Sequence, residues 1–304
     1  MCEAPNIGRM TEVRIFQVDA FTQTAFTGNP AGVVLDADDL SDAQMQALAR
    51  ELNNGDSAFV LRPDGPDHDL RVRFFTPRKE AGFVGHATVA AHAVLTALHG
   101  PAHRRQKQNG GLVDVQADAS LVRIRQPPPL LREPLEPPHL AELLSTLALK
   151  REDLDERCTP TIAGAGSTRA LVALRGGALR RIQPDFQRLT ALSAAAGAQG
   201  FLLFTLASSV PRCDTEARMF CPALGIPEDP VSGNAHGMLG ALLWRQGLLW
   251  PADSEGVVAF TGAQGHHMQR AGQVRVELEL RAGGIVSATL CGSAVIVFET
   301  RVTL

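Results

Sequence analysis

The chain has few of the signals that mark cofactor or metal chemistry. No P-loop and no GxGxxG fingerprint follows a strand-like run, and no GxSxG elbow is present. No set of His, Asp, Glu or Cys has the spacing of metal ligands. The five cysteines, Cys2, Cys158, Cys213, Cys221 and Cys291, are scattered without a CxxC, as expected for reduced thiols in a cytoplasm. Charge is equally uninformative: the net value is −3 over 304 residues, which gives no reason to expect nucleic acid or an anionic membrane as partner. No uninterrupted apolar run is long enough to span a bilayer. Met1 to Met10 lacks the basic-then-apolar pattern of a signal peptide and reads as a loose extension. With cofactor signals missing, proton transfer is the leading chemistry.

One short pattern occurs twice. Phe75-Thr76-Pro77 leads through a loop into Gly85-His86-Ala87-Thr88 and an apolar helix. Phe220-Cys221-Pro222 leads through a loop into Gly233-Asn234-Ala235-His236 and a second apolar helix. The elements before each copy also match in order, so the chain reads as a duplication. Both helices are apolar on nearly every face, and such a helix is buried on all sides. In a strand-rich chain the simplest arrangement is a sheet wrapped around a central helix, once per lobe. The expected lobes are 11–126 with the C-terminal strand from about 287 to 304, and 139–286. The segment 127–138 joins them as a linker, because Gln126 to Pro138 carries six prolines.

The small residues at each helix start leave helix N–H groups open to an anion such as a carboxylate, and two such loops suggest one substrate held between two half-sites. Few ionisable groups flank them: Asp56, Glu80 and His86 on one side, Glu228, Asp229 and His236 on the other. Asp56 follows Asn53-Asn54-Gly55 and precedes an apolar strand. There it can act as a general base and then acid, or simply bond local turn N–H groups. His86 opens a helix, where the dipole favours a neutral imidazole. His68, His99, His103 and His139 read as surface or linker positions.

Phe26-Thr27-Gly28-Asn29-Pro30, Phe75-Thr76-Pro77, Glu80, Gly85-His86-Ala87-Thr88 and Glu228-Asp229-Pro230-Val231-Ser232-Gly233 together resemble the PhzF family of phenazine-biosynthesis-type isomerases. The resemblance runs from about Val13 to Phe298. It implies an α+β, diaminopimelate epimerase-like fold: two similar domains, each a rolled, mostly antiparallel sheet around a central helix, with the active site between them. It also implies a homodimer, a small carboxylate-bearing substrate and no metal or organic cofactor. In the best understood members a glutamate moves a proton two atoms along, a 1,3-shift, and the matching position here is Asp56. His86 and Asp229 match the other catalytic positions. Asn29, Gly85, Ala87, Ser232, Gly233 and Asn234 fall at substrate-binding positions.

Two departures stand out. Asp56 is one methylene shorter than glutamate, a reach shorter by about 1.5 Å. Asn234 replaces a family serine, while Ser232 stands at the family's threonine. Racemases of the same fold carry a thiol before the glycine of each helix-opening loop. Those places here are Val84 and Ser232, which disfavours two-thiol racemisation. The residues leave other activities open: epimerisation, dehydration, or metabolite binding without chemistry.

Overall fold

Strand alternation decides which side chains face which layer. In the first strand, Glu12–Ala20, Val13 and Ile15 pack outward with Met45 and Leu48 of the helix Asp42–Leu52. Phe16 and Val18 pack inward with Ala87, Ala90, Ala91 and Val94 of the helix Gly85–His99. The outer helix starts on a capping box, in which Ser41 accepts from the Gln44 N–H and the Gln44 side chain accepts from the Ser41 N–H. The computed structural model describes residues 12–249 and 256–304; the expected extension Met1 to Met10 lies outside them.

The order of elements in the first lobe is repeated in the second. Asn29–Leu35 crosses over through the outer helix to a parallel partner, Asp56–Leu61, which pairs antiparallel with Leu70–Phe75. A short strand, Glu80–Ala81, returns, the central helix follows, and Ala102–Gln108 joins parallel to Leu70–Phe75. Gly111–Ala117 and Val122–Gln126 complete the lobe. In the second lobe Thr168–Leu174 crosses over through Phe186–Ala195 to parallel Phe201–Thr205, which pairs antiparallel with Thr215–Cys221. Ile226–Asp229 returns, the helix Gly233–Arg245 follows, and Gly256–Gln264, Gly272–Arg281 and Gly284–Gly292 close the lobe. This helix is buried among Leu171, Leu202, Phe204, Met219, Phe260 and Val276. Each such fully buried side chain contributes roughly 1.5–3 kcal/mol relative to exposure.

The lobes exchange strands. The segment 127–138, expected to be a linker, contains the strand Leu130–Pro134, which pairs with Thr161–Gly164 at the start of the second lobe. Pro137 and Pro138 then open the helix Pro137–Thr146, a position where a missing N–H costs nothing. Reciprocally, Ala294–Thr303 leaves the second lobe and pairs along the whole of Glu12–Ala20. The crossing point is at Ser293, because Gly284–Gly292 still belongs to the second lobe and also pairs with Val122–Gln126 of the first. The result is one continuous hydrogen-bonded sheet of eighteen strands around two helices. Among the described residues no helix is long and apolar enough to cross a membrane.

Candidate active site

The two helix openings face each other because first-lobe groups bridge into the second. Phe21, with a positive φ of 63°, is a first-lobe residue buried in the second lobe's core. Arg270 donates to Asp19 at 2.5 Å and to the Gly28 carbonyl at 3.0 Å. These ties fix Asn29, whose amide nitrogen donates to Asp229 Oδ1 and to the Val231 carbonyl, both at 2.8 Å. Asn29 thus spends both amide hydrogens on the second lobe, and its carbonyl oxygen is what it can offer a ligand.

Asp56 is the first residue of its strand and shares the inward parity of Ala58 and Val60. It is 7 % exposed. The turn alternative, local backbone N–H groups held by this carboxylate, finds no such bond among the described residues. Burial pushes the Asp56 carboxyl up to about 7, and the charge of Asp229 pushes the same way. Its Oδ2 lies 3.8 Å from His86 Nε2. That separation is too long for a hydrogen bond. It is not an ion pair at neutral pH either, because burial lowers His86 to about 4. Burial, rather than the helix dipole, is therefore the main cause of the neutral imidazole. His86 Nε2 is buried with no partner, and it points to the same space as the carboxyl. Around it, Gly85 and Ala87 are buried in the first turn, and the preceding Val84 offers no side-chain cap. The first N–H groups of this helix have no intrahelical acceptor. The Ala87 methyl belongs to the core, so only its amide can meet a ligand.

The second opening is built differently. Ser232 caps the helix by accepting from the Ala235 N–H at 3.3 Å, and its own N–H donates to Gln264. Gln264 in turn donates to the Asp229 carbonyl at 2.6 Å. Burial raises the Asp229 carboxyl to about 6, opposed by the charge of Arg169 and the hydrogen bond from Asn29. The Asn234 amide donates to the Ala165 carbonyl at 2.8 Å, which pins the turn before the strand Thr168–Leu174. Gly233 packs under Phe21: a Cβ there would sit 2.7 Å from the Phe21 ring.

Asp56 and His86 thus come together on one lobe, with Asp229, Ser232, Gly233 and Asn234 on the other. Glu80 and Glu228 do not join them. Each is held bidentate by an arginine, Arg73 and Arg218, with all four N···O distances 2.8 Å. Those arginines stack on Phe75 and Phe220 at 5.1 and 5.0 Å. His236 is a buried helix residue bonded to the Ser232 carbonyl. His68, expected at the surface, is 6 % exposed and sits between Asp67 and the Asp64 backbone N–H. Sequence reasoning passed over Arg169 and Gln264. The parity of Arg169, Leu171 and Ala173 on an apolar strand was the available signal for the arginine.

The comparisons with known proteins fit this geometry. The family model for phenazine biosynthesis-like proteins matches residues 18–300. The YddE isomerase of Escherichia coli (strain K12), itself uncharacterized, is 37% identical over 295 residues, covering 95% of this chain and 97% of that protein. The crystal structure of a PhzF-family phenazine biosynthesis protein from Bacillus anthracis superposes with a TM-score of 0.86 at 25% identity, covering 97% of this chain and all of that one. A hydroxyproline epimerase from Agrobacterium vitis, at 14% identity and a TM-score of 0.61 over 97% of this chain and 92% of that one, shares the fold. The fold is the epimerase-like α+β arrangement and the class is isomerase. The chain belongs to the phenazine-biosynthesis-like, PhzF family.

Proposed function

We propose that this isomerase moves a proton between carbon atoms of a small carboxylate-bearing metabolite, in a 1,3-shift, without a cofactor. The carrying observation is Asp56: a buried carboxyl raised to about 7 by burial and by the charge of Asp229 on the opposing lobe, with the unpartnered Nε2 of His86 3.8 Å away. A group poised near neutrality exchanges protons in both directions at little cost. Asp56 takes the proton from carbon and returns it two atoms along. His86 donates a hydrogen bond to the oxygen that gains charge, and Asp229 orients the substrate or relays a proton. The open N–H groups at Gly85-His86, and those at Gly233-Asn234, hold carboxylate or enolate oxygens; such stabilisation in a dry site is worth about 3 kcal/mol per donor. A homodimer in the cytoplasm belongs to the same proposal.

The test is incubation in heavy water with a metabolite pool, followed by mass analysis for deuterium gained at carbon. The wild type labels its substrate, with a rate that rises with pH through about 7 as Asp56 ionises. Asp56→Asn lowers labelling by roughly 100- to 10,000-fold. Full activity in both Asp56→Asn and Asp56→Ala overturns the assignment. Tight metabolite binding without labelling would mark a binding protein instead. A second reading, epimerisation by two acids, is favoured by one observation: Asp229, on the other lobe, is raised as well, to about 6. Inverted stereochemistry in the labelled product separates it from the shift.

A further inference from the structure

Arg169 has no task in the proton transfer described above, yet its surroundings are specific. It shares the parity of Leu171 and Ala173, which pack inward against the second central helix, so it lies on the concave face at the strand's opening end. It is 8 % exposed, and its Nε is buried without a partner. One hydrogen bond is present, from Nη1 to the neighbouring Thr168 carbonyl at 2.8 Å. Among the described residues no carboxylate lies within salt-bridge distance of it. A buried guanidinium with donors unspent costs free energy unless something fills them.

The fold makes room for this side chain deliberately. Its Cδ lies beside Gly200, where an added Cβ would be 3.1 Å away. The same Cβ would also strike the Cys221 sulfur and stand 2.9 Å from the Phe220 carbonyl. Only glycine lets the arginine stem and the thiol pack together there. The turn leading into the strand is held by Asn234, from the first turn of the central helix, through the Ala165 carbonyl. Asp229, opposite Met219 on the next strand pair, feels the arginine's charge. The guanidinium therefore sits in the second lobe's half of the site, near Asp229, the acid that also acts on Asp56.

We propose that Arg169 is the substrate's carboxylate receptor: its free donors take one carboxylate of the substrate at the second lobe. The helix N–H groups are then left for the oxygen that gains charge. This deepens the isomerase reading and rests on it for the placement of the substrate. It makes the substrate class small acids with a carboxylate within reach of the migrating proton, and it makes amides and esters of those acids poor ligands. A guanidinium presents two parallel N–H groups to a carboxylate, which an ammonium cannot copy.

The experiment is calorimetric titration of the intact protein with succinate, succinamide and acetate, for wild type, Arg169→Gln, Arg169→Lys and Asp56→Asn. Wild type binds succinate at least tenfold more tightly than succinamide. Arg169→Gln erases that preference, Arg169→Lys keeps part of it, and Asp56→Asn retains it. If Arg169→Gln prefers succinate as wild type does, the proposal is overturned, as it is if wild type shows no preference. If the glutamine variant fails to fold, Arg169→Lys decides alone: undiminished preference in it overturns the proposal. In the heavy-water assay Arg169→Gln raises KM much more than it lowers kcat. A role only as Asp229's counter-charge would instead move the pH profile upward and leave KM unchanged, which overturns the proposal. Loss of labelling in all proteins with the carboxylate preference intact would remove the isomerase reading and leave the receptor standing.

Discussion

The two lobes share a scaffold and differ at their mouths. Both carry a bidentate arginine–glutamate brace stacked on a phenylalanine, Arg73–Glu80 on Phe75 and Arg218–Glu228 on Phe220. Both wrap their strands around a helix that starts at a buried glycine. At the openings the matching positions diverge. His86 stands where the other lobe has Asn234, and uncapped Val84 stands where the other has the capping Ser232. The first lobe supplies Asp56 at its strand mouth, while the second supplies Arg169 and Asp229. A duplicated fold gives symmetric positions, and the chemistry comes from filling them unequally. Both mouths hold a carboxyl raised by burial, Asp56 on one and Asp229 on the other, but only the second sets a buried guanidinium, Arg169, near its acid.

Substitutions in pairs test this asymmetry. The largest effect on stability is expected at Asp56. Its folded-state value is raised from 3.8 to about 7, so the native state holds a proton that the unfolded chain has lost. The stability this gives is fully present below about pH 4 and fades as pH rises through 7. Asp56→Asn, which cannot ionise, should therefore be more stable than wild type at pH 8 by up to about 4 kcal/mol. The advantage should shrink on acidification towards pH 4, as read by urea unfolding at each pH.

Next come the braces. The Arg218–Glu228 side chains are 9 % and 14 % exposed, against 19 % and 27 % for Arg73–Glu80. Arg218→Met should cost about 3 kcal/mol, because it strands a mostly buried carboxylate. Arg73→Met should cost less, about 1 kcal/mol once solvent screening is counted. Equal losses in urea titrations would show that the two lobes are braced alike.

The opening glycines differ as well. Gly233→Ala drives a Cβ against Phe21 and should lower stability by about 1–3 kcal/mol. Gly85→Ala meets nothing nearer than the Phe83 ring at 3.9 Å and should leave the melting temperature within about 2 °C. The smallest effect belongs to the caps. Ser232→Ala should cost about 1 kcal/mol, and Val84→Ser in the first lobe should bring no gain, because the cap it adds is offset by the loss of an isopropyl group packed in the first-lobe core; both are measured by thermal melting.

Much of this was visible in the chain because it is written locally. The helix openings, the Ser41 cap and the apolar helices each occupy a continuous stretch, so periodicity and small residues locate them. Features set by distant partners were not. Leu130–Pro134 lies in a proline-rich stretch that reads as a linker; its strand character comes from Thr161–Gly164. Asn29 finds Asp229 two hundred residues away. His68 reads as a surface or linker position; its partners lie within four residues, and it is the folding of that loop, not a periodic pattern, that buries the ring between Asp67 and the Asp64 N–H. Glu80 and Glu228 flank the helix openings in sequence, but arginines on the directly paired strands hold them away from the site.

The reciprocal passage of Leu130–Pro134 and Ala294–Thr303 has a consequence for how the molecule comes into being. During synthesis the strand Glu12–Ala20 is made long before Ala294–Thr303, the neighbour that covers its outer edge. Until then that edge is bare and able to pair with other chains. Either half alone would lack a strand that the other supplies to its sheet, so melting should proceed as a single event. The nascent chain is thus open to edge pairing with other chains until Ala294–Thr303 has docked.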